Sequence, residues 1–180
     1  CMSCPCFCVV AGPASSSKGE IIEEVVRTTP PGIHIVVVEM GKILLCRGEV
    51  EDEIGRGIKD AMAGRGMADD EVVCGLAFNE LSHRIQSETD LVILDGFPRS
   101  LIQVGYMFDV LRPSGVSVVH VKSGLERCKR FAERRKRHDD GDEKIRNAYK
   151  RYLEHEEPAA LDIVHRYGGT SVIIDCNGRS

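Results

Sequence analysis

The sequence predicts an α/β fold with a five-stranded parallel sheet that is covered by helices on both faces. Short apolar runs alternate with longer amphipathic segments along the whole chain, which is typical of successive βαβ units. One of these runs, Leu91–Leu94, leads directly into Asp95 and a glycine turn, and ligands of open α/β sheets bind at such strand ends. A length of 180 residues with 42% apolar residues suits one domain, so residues 1–180 are interpreted as a single domain.

The individual elements follow from the same alternation, taken in chain order. The short apolar runs predict strands at Cys6–Ala11, His34–Val38, Leu91–Leu94, Ser117–Val121 and Ser171–Ile174. The amphipathic segments predict helices at Lys18–Arg27, Met40–Arg47, Glu51–Ala63, Asp69–Ser87, Ser100–Leu111, Gly124–Arg137, Glu143–His155 and Pro158–Tyr167. Proline and glycine content predicts turns at 28–32 and 112–115.

Charge and composition exclude several classes of protein. The formal net charge of −4 gives no global footprint for nucleic acid, and no apolar run approaches the ~20 residues that span a bilayer. The first twelve residues lack the charged region of a secretory signal. We therefore expect a cytoplasmic protein without nucleic-acid or membrane partners, and we expect a monomer.

Eight cysteines occur in the chain, four of them within the first eight residues. Their spacing lacks the two Cys-x-x-Cys pairs of a zinc site. Because a free cysteine behaves as a small hydrophobic residue, we expect buried, reduced, structural thiols.

A candidate phosphate-binding loop follows the first predicted strand. Gly12 and Lys18 have the spacing of Gly-x4-Gly-Lys, at a strand–loop–helix junction where backbone N–H groups surround phosphates. Ser17 replaces the glycine before the lysine, and its Cβ is strained if the backbone needs a positive φ. Glu20 repels a triphosphate unless it turns away. Taken alone, the loop is equally compatible with an ordinary serine-rich turn.

The segment 91–103, LVILDGFPRSLIQ, resembles the signature of adenylate kinases and their nucleoside-monophosphate kinase relatives. The resemblance implies a three-layer α/β/α P-loop kinase fold with a short lid, and the reaction ATP + AMP ⇌ 2 ADP with Mg²⁺. It implies that Arg99, Gln103 and Gly96 bind AMP and that Asp95 holds Mg²⁺ through water. Relatives that act on UMP and CMP carry Asn-x-x-Asn after the arginine, whereas Gln103 offers a donor and an acceptor to adenine. Without the preceding motif, a surface glutamine is the preferred interpretation.

In the same family the phosphate loop binds ATP. The corresponding residues here are Gly12, Ser15, Ser16, Ser17, Lys18 and Gly19, with Lys18 neutralising phosphate charge. Glu20 stands where adenylate kinases usually carry threonine.

The AMP-binding segment corresponds to about residues 40–70. Leu45 occupies the position of the family's AMP-phosphate arginine. Arg47 is either a substitute for that arginine or a solvated residue at the end of a helix. The stretch 66–73 resembles the segment that lines the adenine of AMP.

The basic segment 125–137 resembles the arginines that border the family's lid, here about residues 134–140 and too short for a zinc-bearing insertion. The resemblance implies that Arg130, Arg134 and Arg137 reach phosphates and that Asp139 and Asp140 support lid closure. The family's next arginine falls on Ala148, and Arg146 would face another direction. Such a charge run is otherwise a solvated face or a nucleic-acid contact.

The resemblance therefore favours a phosphotransferase that binds ATP and AMP or ADP, with Lys18, Arg99, Arg134 and Arg137 as catalytic residues. Ser17, Glu20, Leu45 and Ala148 leave a second hypothesis open, a catalytically impaired nucleotide-binding or regulatory protein on the same fold. A nucleic-acid-binding module that uses the basic segment is a third.

Overall fold

The computed structural model describes residues 4–63, 67–135 and 141–178. Its centre is one sheet of five parallel strands in the order β2-β3-β1-β4-β5, which confirms the predicted fold class. Each strand lies within two residues of its predicted bounds: β1 (Cys6–Ala11), β2 (His34–Glu39), β3 (Thr89–Asp95), β4 (Gly115–Lys122) and β5 (Thr170–Asp175).

The strand order places a crevice at the carboxyl end of β1. From β1 the chain crosses over to β2, returns to β3, and then passes β1 to reach β4. Val10 in β1 therefore lies between Asp95 in β3 and Val119 in β4. Loops that leave β1 and β3 must diverge at this edge, which is where open α/β sheets bind ligands.

Eight α-helices lie within the described ranges: α1 (Lys18–Thr28), α2 (Met40–Gly48), α3 (Glu53–Met62), α4 (Asp70–Arg84), α5 (Leu101–Tyr106), α6 (Leu125–Arg135), α7 (Asp142–Arg151) and α8 (Glu157–Tyr167). The predicted helices are present, but two of them change hydrogen-bond pattern. α5 ends in a π-helical turn at Met107–Leu111, and a second such turn, Tyr152–Glu156, joins α7 to α8. π-turns of this kind are frequent near functional sites, and the second one carries Glu156 to the crevice.

The start of α3 differs from the prediction because a side chain caps it. The helix begins at Glu53 rather than at Glu51, since the Asp52 carboxylate accepts a 2.7 Å hydrogen bond from the Gly55 N–H. Such an N-cap satisfies a backbone donor that the helix itself leaves unpaired.

Of the three buried apolar clusters in the described residues, one joins α6 to α7 and the other two lie on opposite faces of the sheet. The larger of these two buries Val92 and Leu94 of β3 together with Val104 of α5 and Ile163 of α8. On the opposite face, Ile22 of α1 covers the neighbouring strand residues Val10, Ile93 and Val121. Side chains on both faces of the central strands are thus removed from water, as expected for a parallel sheet.

The cysteine prediction is only partly correct. Cys74, Cys128 and Cys176 are buried, but Cys4, Cys6 and Cys46 are exposed, and Cys8 is half-buried. Cys4 precedes β1 and Cys6 begins it, so both lie at the amino edge of the sheet. None of the helices in the described ranges is long and apolar enough to cross a membrane.

Candidate active site

The phosphate loop is held closely against the end of β4. A Cβ atom on Gly12 would lie 2.7 Å from the carbonyl oxygen of Val121 and 3.0 Å from the Ser16 Oγ. Both separations are too short for a side chain, so this position requires glycine. The close approach fixes the loop above the crevice beside β1.

Two serines of the loop adopt the left-handed backbone conformation. Ser17, the N-cap of α1, has φ 73°, and Ser15 has φ 60°. The strain predicted for Ser17 is therefore present, while that at Ser15 was not predicted. Each left-handed non-glycine residue costs about 1–2 kcal/mol, so the loop is maintained against its own sequence preference.

The hydroxyl of Ser16 is a buried donor without a partner. The residue is 1% exposed, and its Oγ makes no hydrogen bond. An unpaired buried hydroxyl costs about 1–3 kcal/mol, which an anionic oxygen in the loop would recover by accepting its proton. The loop therefore fits a phosphate group.

The side chain of Lys18 folds back onto its own loop. Its ammonium donates hydrogen bonds to the carbonyl oxygens of Gly12 at 2.6 Å and Pro13 at 2.9 Å. Burial lowers the pKa of Lys18 below its usual range; the Asp95 carboxylate opposes this shift and the Arg99 guanidinium adds to it. Lys18 therefore lies close enough to Asp95 and Arg99 for their charges to affect its pKa.

Two acidic residues end neighbouring strands at this edge of the sheet. Glu39 at the end of β2 is paired in register with Asp95 at the end of β3. Within the described ranges, no group of three or more His, Cys, Asp or Glu side chains is arranged to hold a metal ion alone. Mg²⁺ in phosphoryl-transfer sites is commonly held by one or two carboxylates together with substrate phosphates and water, and Asp95 offers the chemistry for that arrangement.

Arg99 extends over Gly96 and toward the crevice. Gly96 has φ 80°, and a Cβ there would lie 2.9 Å from an Nη atom of Arg99. The guanidinium also lies 3.5 Å from a carboxylate oxygen of Glu156, and its side chain remains 45% exposed. The arginine is thus aimed by its own strand–helix turn and keeps donors free for an anion.

Gln103 is buried, so the interpretation as a surface glutamine is wrong. It is 3% exposed and lies on the wall of the crevice. Its carboxamide oxygen accepts a hydrogen bond from the Arg99 backbone N–H, and its nitrogen donates to Asp70. No motif in the sequence predicted that Asp70 contacts this glutamine.

A cleft of about 380 Å³ lies beside these groups and is lined by several of them. Its walls come from the phosphate loop, α2, the end of α3, the start of α4, the segment after β3, and α7. Arg99, Gln103 and Glu156 lie on its wall together with Ser15 of the loop. A volume of this size accommodates a small organic ligand.

The AMP-phosphate arginine has no replacement in α2. Leu45 is 56% exposed and the cleft is lined by its neighbour Leu44. Arg47 forms a two-bond pair with Asp52, at 3.1 and 2.8 Å, and thereby joins the end of α2 to the cap of α3. Both interpretations of Arg47 are therefore wrong, because it is a structural residue rather than a phosphate ligand or a solvated helix end.

The basic stretch of α6 divides into residues with different environments. Lys129 is buried and reaches Glu126 and Asp142 at 3.2 and 3.1 Å, which fastens α6 to α7. Arg130 and Arg134 are exposed, and the Arg134 guanidinium lies over the ring of Phe131. The remaining predicted lid residues, Arg137, Asp139 and Asp140, lie outside the described residues.

One face of α7 supplies cations that the family alignment does not. Lys144, Ala148 and Arg151 line the cleft together, whereas Arg146 points away and pairs with Asp142 at 3.3 Å. The i, i+4, i+7 spacing of the first three residues is the sequence signal for this shared face.

Comparison with known proteins agrees with this architecture. A profile of the AAA domain family matches residues 11–146, well over half of the 180-residue chain. The chain belongs to that AAA domain family. The match to the AAA domain begins at the last residue of β1 and ends within α7, so it includes the phosphate loop, Arg99 and Gln103.

Curated relatives are adenylate kinases. The enzyme of Wolbachia pipientis subsp. Culex pipiens (strain wPip) is 30% identical over 103 residues. Those of Wolbachia sp. subsp. Drosophila simulans (strain wRi) and Wolbachia pipientis wMel are each 27% identical over 103 residues. Each match covers 57% of this chain and 45% of the relative, so the matched part spans about half the length of these proteins. The resemblance to adenylate kinases is confirmed.

Proposed function

We propose that this chain is a nucleoside-monophosphate kinase that transfers the γ-phosphoryl group of ATP to AMP. The observation that carries the proposal is that Ser15 of the phosphate loop lines the same cleft as Arg99, while Lys18 of that loop and Asp95 at the end of β3 lie at the adjoining edge of the sheet. A donor triphosphate in the loop and an acceptor phosphate at Arg99 would then meet at the carboxyl edge of the sheet.

The loop would bind the triphosphate in the ground state. Its backbone N–H groups lie at the amino end of α1, the Ser16 hydroxyl lacks a partner, and the Lys18 ammonium can turn from two carbonyl oxygens to phosphate oxygens. Glu20 is exposed on the first turn of α1, where water screens its charge. The N–H groups, the Ser16 hydroxyl and the Lys18 ammonium favour an anion in the loop.

Arg99 would hold the acceptor phosphate. Its planar guanidinium can donate two parallel hydrogen bonds, and its partner Glu156 is 3.5 Å away, beyond an ideal charged hydrogen bond. An oxygen of the acceptor phosphate attacks the γ-phosphorus while the bond to the β-phosphate oxygen breaks, releasing ADP from the donor. Mg²⁺, held through water by Asp95, would neutralise charge on the donor phosphates.

Phosphoryl transfer depends on positioning and on positive charge around the moving group. Lys144 and Arg151 line the cleft on either side of Ala148, where the family carries a cation. Arg130, Arg134 and Arg137 remain proposed contributors when the lid closes. The cations on α7 therefore support an active enzyme despite the alanine.

A catalytically impaired nucleotide-binding protein is the second candidate. Leu45 leaves the AMP clamp without its arginine, and the strained serines weaken the loop. This candidate binds ATP or AMP without transferring phosphate.

A coupled assay for ADP production tests the proposal on the full chain. ATP with Mg²⁺ is combined in turn with AMP, CMP, UMP and GMP, and calorimetry measures binding of ATP and AMP separately. We expect AMP to be preferred, and we expect chelation of Mg²⁺ by EDTA to abolish turnover. Binding without turnover supports the impaired protein, whereas neither binding nor turnover contradicts both candidates.

A matched pair of lysine substitutions shows whether the activity belongs to this cleft. Lys18→Met removes the loop cation, whereas Lys150→Met removes an exposed lysine that pairs with Glu154 at 3.7 Å. Only the first substitution is expected to abolish ADP formation. Equal activity in both variants would place the reaction elsewhere.

A further inference from the structure

The carboxamide of Gln103 is held by two partners of opposite hydrogen-bonding character. Its Oε1 accepts a 2.8 Å hydrogen bond from the backbone N–H of Arg99. Its Nε2 donates a 2.7 Å hydrogen bond to Oδ1 of Asp70. The same Asp70 oxygen accepts a 2.8 Å hydrogen bond from the Ser100 hydroxyl, which in turn accepts from the Gln103 N–H at 3.2 Å.

These contacts determine which way the amide faces. Rotation of the carboxamide by half a turn would set its NH₂ group against the Arg99 N–H and its oxygen against the Asp70 carboxylate. A backbone N–H is always a donor and an ionised carboxylate only accepts, so both contacts would become repulsive. Gln103 is 3% exposed, so little water reaches these two contacts to replace the lost partners.

A fixed amide distinguishes bases that a freely rotating amide cannot. One N–H and one lone pair of the Gln103 carboxamide remain for a ligand in the cleft. Adenine and cytosine present an amino donor beside a ring-nitrogen acceptor, whereas guanine, hypoxanthine and uracil present a ring N–H beside a carbonyl. A glutamine that can turn over pairs with either pattern; one held in a single orientation pairs with only one of them.

We propose that Asp70 is a specificity-determining residue that, by fixing the orientation of the Gln103 carboxamide, selects nucleoside monophosphates whose base edge presents an amino donor beside a ring-nitrogen acceptor over those whose edge presents a carbonyl beside a ring N–H. The inference rests on the proposed function, because it concerns the acceptor site of that reaction. Asp70 acts through Gln103 and is a positioning residue. Rejection of CMP then depends on ring size, since cytosine offers the same edge pattern as adenine.

The test compares AMP with IMP, two purine monophosphates that differ at the base edge in question. For the wild-type chain, Asp70→Asn and Asp90→Asn, kcat/KM is measured for both acceptors, and their dissociation constants are measured by calorimetry. An asparagine at position 70 can donate or accept, so it no longer opposes the flipped amide. We expect the AMP-over-IMP ratio to fall about tenfold or more in Asp70→Asn while the KM for ATP stays unchanged.

Asp90→Asn is the matched control. Its carboxylate accepts a 2.9 Å hydrogen bond from the His34 N–H at the amino end of the sheet, opposite the cleft. An asparagine side-chain oxygen can accept the same hydrogen bond, so the AMP-over-IMP ratio of this variant is expected to equal that of wild type.

A double-mutant comparison separates positioning from a general structural effect. Gln103→Ala should lower the AMP-over-IMP ratio by itself, and adding Asp70→Asn to that variant should lower it no further. A further drop in the double variant would overturn the inference, because Asp70 would then act independently of Gln103.

The remaining outcomes distinguish failure of the inference from failure of the proposed function. Transfer to AMP with an unchanged ratio in Asp70→Asn overturns the inference alone. Equal use of AMP and IMP by wild type overturns it even if Asp70→Asn does not fold. If wild type binds monophosphates without transferring phosphate, the ratio of dissociation constants is the readout. Absence of both transfer and monophosphate binding overturns the proposed function and the inference together.

Discussion

At the scale of single residues, the phosphate loop has a backbone conformation that its sequence does not favour. Ser15 and Ser17 occupy left-handed conformations that favour glycine, whereas Gly12 and Gly96 stand where a Cβ would collide with neighbouring atoms. Strain of this kind persists only where surrounding contacts over-determine the backbone. Here those contacts include the Lys18 ammonium, which holds the carbonyl groups of Gly12 and Pro13.

Replacing Ser17 by glycine should stabilise the protein. Relief of about 1–2 kcal/mol of left-handed strain exceeds the unfolded-state entropy of about 0.4–1 kcal/mol that glycine adds, so we expect a net gain of about 0.5–1 kcal/mol. We also expect tighter ATP binding, since the bare amide can approach phosphate more closely. Urea unfolding and ATP titration measure these effects. Ser87→Gly, at an exposed serine, is the control and should destabilise slightly, because φ at Ser87 is not positive.

Substitution of Arg99 should remove activity with little loss of stability. Its guanidinium is 45% exposed and its ion pair with Glu156 is long, so folding depends little on it. We expect Arg99→Ala to lower kcat/KM by about two or more orders of magnitude, and Arg99→Lys not to restore it, because lysine lacks the planar fork.

Steady-state kinetics and thermal unfolding measure the two properties of the Arg99 variants. Arg166→Ala, which removes an exposed arginine paired with Asp162, should leave both unchanged. Near-wild-type turnover in Arg99→Ala would remove this residue from the site.

At the scale of elements, α7 shows how a helix can replace a missing side chain. Ala148 stands where the family carries an arginine, but Lys144 and Arg151 share its face and line the cleft. Arg146 lies on another face and is occupied by Asp142. In the proposed reaction, the positive charge around the transferring group would come from these displaced positions on the helix.

Arg151→Ala should therefore lower kcat more than Arg146→Ala. Loss of a cation that acts on the transition state costs about 2–4 kcal/mol, so we expect a reduction of at least about thirtyfold with little change in the Kd for ATP. Arg146→Ala should leave kcat close to wild type. In the converse experiment, Ala148→Arg should raise kcat unless Arg151 already supplies the full effect. Equal kcat values for Arg151→Ala and wild type would exclude Arg151 from this role.

At the scale of the whole molecule, α8 joins the sheet to the cleft. Ile163 is fully buried against the larger core, and the stacked rings of Phe108 and Tyr167, 3.8 Å apart, hold the π-turn after α5 against the same helix. The π-turn that precedes α8 carries Glu156, the partner of Arg99. Packing of this helix thus stabilises the fold and also positions a residue of the site.

Truncation of the buried Ile163 side chain should destabilise the whole domain. Ile163→Ala is expected to lower the free energy of unfolding by about 2–5 kcal/mol, because it removes buried methyl groups and leaves a cavity. Leu161→Ala, on the exposed side of the same helix, should change it by less than about 1 kcal/mol. Chemical denaturation measures the free energy of unfolding of both variants. Similar decreases would show that the buried side of α8 does not stabilise the core.

The candidate site could be predicted in part from local sequence. Lys18, Asp95 and Arg99 lie in contiguous motifs, so their types and spacing indicate phosphate chemistry directly. Gln103 was identified by the same motif, but its orientation depends on Asp70, which is 33 positions away in the chain. No local pattern indicates such a partner.

The sequence alone determined the five parallel strands and most helix bounds, because burial periodicity and turn residues act over a few positions. Tertiary structure decided which side chains meet. Arg47 pairs with Asp52 instead of facing the cleft, and Arg151 faces the cleft instead of solvent. It also decided that Cys4 and Cys6 are exposed at the amino edge of the sheet. Direction and burial of a side chain depend on elements distant in sequence, whose packing no local periodicity encodes.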